Sequence, residues 1–240
     1  MENKNLGIII AIVLGLLIIG AAVVWGGGGA GRDLFGKNAT STPSNQESFP
    51  IRPISASDHL LGNPEAPIVL VEYSDLECPF CKNFHLTTKQ AVAAYSGGEL
   101  AIVYRHFPLD GLHTKARVEA EASECAAKLG GNDGFWAYID KIFVVTPSND
   151  GLDTSLLPVL AAEVGLDRAA FEACLASGEM TAIVEADYQD AVGPGGTGTP
   201  FVIVWNRATG EQVQLPGAVP LATIRSTVDA MLATSTPSGV

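Results

Sequence analysis

After residue 50, the apolar residues of the chain follow two different spacings in different segments. Short runs that are apolar or alternate with polar residues are typical of β-strands, and apolar residues at every third or fourth position are typical of α-helices. The strand pattern occupies residues 68–73, 100–106, 201–205 and 211–215, with a short edge strand predicted at 51–54. The helical pattern occupies residues 82–95, 113–129, 135–145, 156–164, 169–176, 179–192 and 219–232.

The order of these elements predicts an α/β fold. The strands at 68–73 and 100–106 flank a helix, and such a βαβ unit makes its two strands parallel neighbours. A block with helical spacing then interrupts the strands between residues 112 and 190. Two further strands and a helix complete the sequence pattern. We therefore expect a single sheet, with a helical insertion between its strands along the sequence.

The first fifty residues differ from the rest. Residues 6–25 form an uncharged apolar run, and a helix of this length rises ~30 Å, which matches the hydrocarbon core of a bilayer. The run predicts a transmembrane helix, with a cleaved secretory signal as the alternative. The predicted organisation is an N-terminal membrane anchor (1–25), a flexible linker (26–50), the first part of the main fold (51–111), a helical insertion (112–190) and its second part (191–240).

The acidic net charge of the chain argues against a nucleic-acid partner. The formal net charge is −12, and the chain has no cluster of Lys and Arg of the kind that binds nucleic acid. We therefore expect no nucleic-acid partner, and expect membrane contact through the N-terminal helix. A short segment before the apolar run and a large domain after it favour a single-pass protein of the cell membrane, with its domain on the extracytoplasmic side.

The candidate chemistry is a Cys-x-x-Cys motif that follows the first central strand. Cys78 and Cys81 begin the predicted helix, where unpaired N–H groups and the helix dipole favour a thiolate. Their spacing places both on one side of a helix, close enough to form a disulfide. Cys78 is the predicted exposed nucleophile, and Cys81 is the predicted buried partner that resolves a mixed disulfide.

The motif has two other interpretations, a metal site and a structural bridge. A tetrahedral zinc site needs about four ligands, and no second close pair of Cys or His follows, although His85 could join Cys78 and Cys81 in a copper or zinc site. The motif could also be a structural bridge in a scaffold domain. Asp75 and Glu77 would oppose a thiolate on Cys78 if they lie close to it.

The remaining histidines suggest no chemistry from their positions. His59, His106 and His113 are interpreted as ordinary surface or loop residues. His85 is expected to be partly exposed on its helix.

The element order and three motifs resemble the DsbA-like thiol:disulfide oxidoreductases, over residues 51–232. The motifs are the Cys-Pro-Phe-Cys at 78–81, the Thr199-Pro200 pair before a strand, and Glu72 six residues before the first cysteine. The resemblance implies a thioredoxin-like fold with an inserted helical domain. It further implies a catalytic set of Cys78, Cys81, Glu72, Thr199 and Pro200.

The resemblance also assigns a role to each added residue. Thr199-Pro200 is expected to form a cis-proline loop that exposes backbone to an extended substrate. Glu72 is expected to be a buried acid with a raised pKa that shuttles a proton. Phe80 stands where the strong oxidants of the family carry His, which removes one source of thiolate stabilisation and suggests a less oxidising potential.

Cys125 and Cys174 lie on apolar faces of predicted helices. They are either two buried free cysteines or, in an oxidising compartment, a structural disulfide. Similar pairs occur in the helical insertions of DsbA-like proteins, so the resemblance favours the disulfide.

The predicted function is an extracytoplasmic, membrane-anchored thiol:disulfide oxidoreductase. It would form, reduce or isomerise disulfides in client proteins, and would exchange electrons with a membrane or soluble redox partner. No cofactor is expected beyond the redox-active Cys78–Cys81 disulfide. The alternatives are a copper carrier with a thioredoxin fold and a non-catalytic scaffold.

Overall fold

The computed structural model describes residues 49–235 of the chain. The predicted transmembrane helix at 6–25 and nearly all of the predicted linker lie outside these residues. Within the described part of the chain, no helix is both long and apolar enough to cross a membrane.

A five-stranded mixed sheet forms the centre of the fold. Its strands are β1 (His59–Gly62), β2 (Ile68–Ser74), β3 (Leu100–His106), β4 (Phe201–Asn206) and β5 (Gln212–Leu215). They lie side by side in the order β1-β3-β2-β4-β5. β2 and β3 are parallel, as the βαβ pattern predicts, and the other neighbouring pairs are antiparallel.

Every residue of β2 and β3 is buried, as expected for a parallel pair covered on both faces. Alternate residues enter two hydrophobic clusters. Ile68 and Leu70 belong to the larger cluster, whereas Val69 and Val71 belong to the smaller one. The end of β2, from which the predicted active site begins, is thus held rigidly between two layers of core.

Six α-helices surround this sheet in the described residues. They are α1 (Pro79–Ala94), α2 (Ala116–Val145), α3 (Leu157–Glu163), α4 (Arg168–Ser177), α5 (Thr181–Val192) and α6 (Leu221–Ser235). The two helices predicted at 113–129 and 135–145 form one segment, α2, which is interrupted by a non-helical Gly131 at φ 65°. Glycine adopts this left-handed region without the steric cost that a Cβ would add.

The predicted edge strand at 51–54 is wrong, since β1 occupies the edge of the sheet instead. Pro50 and Pro53 cannot donate to a strand ladder. The intervening Arg52 donates its backbone N–H to the Asp190 carboxylate at 2.7 Å, so the segment is held by a side chain of α5 and not by strand pairing.

A buried ion pair network ties this segment to the sheet. Arg105 of β3 is fully buried; its Nε lies 2.8 Å from the Asp58 carboxylate and its Nη1 lies 2.7 Å from that of Asp190. Two carboxylates therefore compensate one buried guanidinium, which is the condition for a charge to be tolerated in a protein interior.

The helices α2 to α5 follow β3 and precede β4, at the position of the predicted insertion. Cys125 of α2 and Cys174 of α4 are both buried and are joined by a disulfide bond. This covalent link fixes two helices of the insertion to each other, as the resemblance implied.

Candidate active site

The Cys-x-x-Cys motif lies where β2 passes into α1. Cys78 is the N-cap of α1 and Pro79 opens its first turn, where a residue without an N–H costs nothing. Both cysteines are free thiols, with Cys81 0% and Cys78 4% exposed. The expectation of an exposed Cys78 is therefore wrong for the resting protein, and it is Phe80 that projects into solvent, at 64% exposed.

The surroundings of Cys78 favour its thiolate. As a thiol, its Sγ–H donates to the backbone carbonyl of Thr199 across a distance of 3.5 Å, a contact that only the protonated form can make. Hydrogen bonding with Cys81 lowers the pKa of Cys78 to about 6 against the opposing effect of burial. The side chain of Thr199 and the backbone N–H groups of Cys81 and Phe80 lower it further. A thiol with this pKa is mostly ionised at pH 7, and the thiolate is the nucleophile.

Cys81 has the opposite character. Burial raises its pKa well above the ordinary value, and the neighbouring Cys78 and Glu72 raise it further. Its Sγ lies 3.5 Å from the backbone N–H of Asp75. The two sulfurs thus differ as an attacking thiolate and a protonated resolving thiol should.

The Thr199-Pro200 pair faces the dithiol from the start of β4. Its peptide bond is cis, and its Thr199 carbonyl is the group that contacts Cys78. A cavity of about 270 Å³ opens beside this loop, with Thr199, Pro200, Gln214 and Leu215 among its lining residues. The cavity therefore adjoins the loop whose carbonyl contacts Cys78.

Glu72 lies behind the dithiol in the middle of the sheet. It is buried on β2, between Tyr104 of β3 and Val202 of β4. Burial raises the pKa of Glu72 to about 8, and the charge of Cys78 contributes to the increase. Its Oε1 has no hydrogen-bond partner among residues 49–235. This carboxyl is thus protonated at neutral pH and can exchange a proton with the site.

Glu72→Gln is expected to change how stability depends on pH. The pKa of Glu72 is about 8 in the folded protein, which exceeds its value of about 4.5 in the unfolded chain. Below about pH 4.5 the carboxyl is protonated in both states, and its contribution to the free energy of unfolding is fully present. That contribution is lost as the pH rises to about 8, because the unfolded chain releases the proton first. The reduced wild type should therefore lose stability relative to the variant by at most ~1.4 kcal/mol per pH unit in this window. Urea unfolding at pH 5, 7 and 9 measures the difference.

The exposed Glu65, just before β2, provides a matched control. Glu65→Gln should follow the wild type at every pH. A constant difference between Glu72→Gln and wild type across the window would show that Glu72 does not titrate there.

The two acids that flank Cys78, Asp75 and Glu77, are both buried. The Glu77 carboxylate accepts hydrogen bonds from the backbone N–H groups of Gly151 and Leu152, at 3.2 and 3.3 Å. These hydrogen bonds tie the Glu77 side chain to the loop after α2. Glu119 of α2 lies close to Glu77, and burial together with that neighbour raises the pKa of Glu119 to about 10. The helical pattern contains no signal for this second protonated acid.

His85 does not join the cysteines. It is buried and not partly exposed as predicted. Its Nε2 lies 2.6 Å from Asp140, and its ring packs against Phe143. These contacts therefore hold His85 on the α2 side of helix α1.

One group of buried donors within residues 49–235 could hold a metal ion, and it includes neither active-site cysteine. Its ligand atoms lie within 4.8 Å of one another and belong to His106, Glu124 and Asp187. Glu124 already accepts hydrogen bonds from His59 and His106, at 2.8 and 3.0 Å. Asp187 pairs with Arg52. Both carboxylates of the group are therefore already engaged by side chains of the protein.

Two histidines interpreted as ordinary surface or loop residues are in fact buried. His106 is fully enclosed at the end of β3, and His113 is 7% exposed. The Nδ1 of His113 lies 2.9 Å from the Asp75 carboxylate. No local sequence pattern indicates this contact, because the two residues are 38 positions apart.

Known proteins share this architecture. A family model described as Thioredoxin matches residues 55–217. DsbA2 of Pseudomonas aeruginosa is 31% identical, with a TM-score of 0.64 over 75% of this chain and 97% of that one. BdbD of Bacillus subtilis, in its oxidised form, has a TM-score of 0.65 over 79% of this chain and 100% of that one; at 22% identity it supports the fold alone.

Curated relatives match a shorter stretch. The Na(+)/H(+) antiporter NhaA 1 of Mycolicibacterium gilvum is 39% identical over 123 residues, which are 51% of this chain and 19% of that protein. The Na(+)/H(+) antiporter NhaA of Herminiimonas arsenicoxydans is 34% identical over 72% of this chain and 25% of its own length. The chain thus matches only a fifth to a quarter of these relatives. The family match covers most of the described residues, and the chain belongs to the thioredoxin family.

Proposed function

We propose that the protein is a thiol:disulfide oxidoreductase of the DsbA-like kind that accepts electrons from the thiols of client proteins. The observation that carries the proposal is the contrast between the two cysteines of one motif. The pKa of Cys78 is lowered to about 6, whereas that of Cys81 is raised well above its ordinary value. A stabilised Cys78 thiolate favours the reduced dithiol, and a disulfide whose reduced form is stabilised is an oxidant.

The reaction begins with the Cys78–Cys81 disulfide. A client thiolate attacks the sulfur of Cys78, which forms a client–Cys78 bond and breaks the bond to Cys81. A second client thiolate then attacks the client sulfur of this mixed disulfide, and Cys78 leaves as a thiolate. The client loses two electrons and gains a disulfide, while the active-site pair gains two electrons.

The leaving Cys81 sulfur needs a proton, since its pKa is high. Glu72 is the acid buried behind the dithiol on β2, and its charge raises the pKa of Cys81. We assign to Glu72 the transfer of that proton when the disulfide opens, and its removal when the dithiol is reoxidised. The pKa of about 8 allows the carboxyl to serve in both directions near neutral pH.

Thr199 and Pro200 position the client. An extended client segment beside the cis-proline loop would place a client sulfur near Cys78, and the adjoining cavity of about 270 Å³ provides the space. The partners in this proposal are client proteins and a redox partner that reoxidises the dithiol. The proposed location is the extracytoplasmic side of the cell membrane, with the N-terminal segment as anchor.

A redox titration of the full-length protein in detergent tests the proposal. We expect the Cys78–Cys81 pair to equilibrate with glutathione, and the disulfide form to oxidise a reduced two-cysteine peptide with catalytic turnover when oxidised glutathione is in excess. Protein alkylated at Cys78 in its reduced form is the control and should be inactive. An intact Cys78–Cys81 disulfide that exchanges no electrons with the peptide would contradict the proposal.

A further inference from the structure

The two residues between the active-site cysteines carry no charge. Pro79 opens helix α1, and the Phe80 side chain projects into solvent. Neither can hold a thiolate by electrostatic attraction. Any side chain that supplies a positive charge to Cys78 must therefore come from elsewhere in the fold.

The segment after β3 brings an imidazole to the site. The backbone N–H of Phe107 donates to Ser74 at 2.7 Å, and that of Leu109 donates to the Asp75 carboxylate at 2.8 Å. These bonds hold the segment against the end of β2. The Nδ1 of His113 then lies 2.9 Å from the same Asp75 oxygen, Oδ2.

Asp75 connects this imidazole to both cysteines. Its backbone carbonyl accepts from the N–H of Cys78 at 3.1 Å, and its backbone N–H lies 3.5 Å from the sulfur of Cys81. Asp75 thus lies between His113 and the dithiol in the structure. Its side chain contacts His113, and its backbone contacts both cysteines.

We propose that His113 is a positioning residue whose imidazolium, oriented by Asp75, supplies the positive charge that the Cys-Pro-Phe-Cys motif lacks and so stabilises the thiolate of Cys78. The inference deepens the proposed oxidoreductase function and rests on it. In this arrangement Asp75 is not a simple opponent of the thiolate, because its charge is neutralised by His113.

The charges around His113 favour its protonated form. Burial lowers the pKa of His113, but Asp75, Cys78 and Asp150 raise it, and the net shift is upward. Asp75 lies in the turn before α1, Cys78 caps α1, and Asp150 lies in the loop after α2. Lys115 is engaged elsewhere, since its Nζ contacts the backbone carbonyls of Asp150 and Leu152.

The attraction between Cys78 and His113 exists only in one redox state. In the reduced protein the Cys78 thiolate acts electrostatically on His113, whereas the disulfide has no charge on sulfur. An imidazolium therefore stabilises the reduced form selectively and makes the disulfide more oxidising.

His113→Asn tests the inference. Asparagine keeps a donor near the position of Nδ1 for Asp75 but carries no charge. We expect the titration midpoint of Cys78, followed by thiolate absorbance and by the pH dependence of alkylation, to rise by about one unit. The equilibrium with glutathione at pH 7 should shift roughly fivefold toward the disulfide. His59→Asn, at a half-buried histidine paired with Glu124, is the matched control and should leave both values unchanged.

A reciprocal measurement needs no variant at His113. Coupled groups shift each other's titration, so the NMR titration midpoint of the His113 ring should be higher in the reduced wild type than in the disulfide form. Unchanged midpoints for Cys78 in His113→Asn and for His113 between the two redox states would overturn the inference. Both readouts are independent of client turnover, so an inactive wild type would contradict the proposed function and leave this result interpretable.

Discussion

Cys81→Ala is expected to stop turnover and to accumulate a mixed disulfide between Cys78 and the client. Cys78 keeps its contact with Thr199 in this variant and can still attack a client disulfide, which is the reverse of the proposed oxidation. In that direction Cys81 is the thiol that would release the client, and the variant lacks it. Cys78→Ala should form no mixed disulfide, because the remaining thiol is fully buried and its pKa is raised. We expect kcat/KM to fall in both variants by at least about a thousandfold, as when a catalytic nucleophile is removed.

Nonreducing electrophoresis and intact mass spectrometry distinguish the two variants. The client adduct should appear when Cys81→Ala is mixed with a disulfide-containing client, and prior alkylation of Cys78 should abolish it. Turnover that survives in Cys78→Ala would remove Cys78 from the reaction. An adduct on Cys78→Ala would instead make Cys81 the nucleophile.

The parts of the fold that could be predicted from sequence depend on local patterns. β3 has the predicted bounds of 100–106, and β2 differs by one residue, because a run of apolar residues between turns specifies a buried strand wherever it lies. The position of the dithiol at the start of α1 is equally local. It requires only a strand, a turn and two cysteines three residues apart.

The parts that could not be predicted depend on distant residues. The contact of His113 with Asp75 spans 38 positions, and the ion pair of Arg105 with Asp190 spans 85. Polar residues in such pairs resemble solvent-exposed loop residues in a sequence, because burial becomes tolerable only when the partner arrives. Glu119 illustrates this point further, since its raised pKa arises from Glu77 and from burial that only the packed fold creates.

The prediction of an edge strand at residues 51–54 is wrong for a related reason. Residues 51–54 have a strand-like composition, but a strand needs a partner that can accept its hydrogen bonds. The side chains of α5 satisfy Arg52 through Asp187 and Asp190. The segment is therefore bound to helix α5 of the insertion and is not paired with the sheet. The pattern of apolar residues cannot show which of these two partners a segment will bind.

Removal of the Cys125–Cys174 disulfide is expected to lower the free energy of unfolding by about 4 kcal/mol in the chain-entropy model. The link closes a loop with a sequence separation of 49, and its loss frees that loop in the unfolded chain. Both sulfurs lie in the main hydrophobic cluster, so the double variant Cys125→Ala/Cys174→Ala also loses some packing. Urea unfolding of this variant and of its parent measures the change.

The comparison should be made in a Cys78→Ala/Cys81→Ala background, because reduction of the wild type would open the active-site disulfide as well. Dithiothreitol should then destabilise the background protein by a similar amount, since Cys125–Cys174 is the disulfide left in it. The protein that also carries Cys125→Ala/Cys174→Ala should not respond to the reductant. Equal stability of the background with and without reductant would show that the link between α2 and α4 does not constrain the unfolded chain. The insertion would then be held by its buried apolar contacts alone.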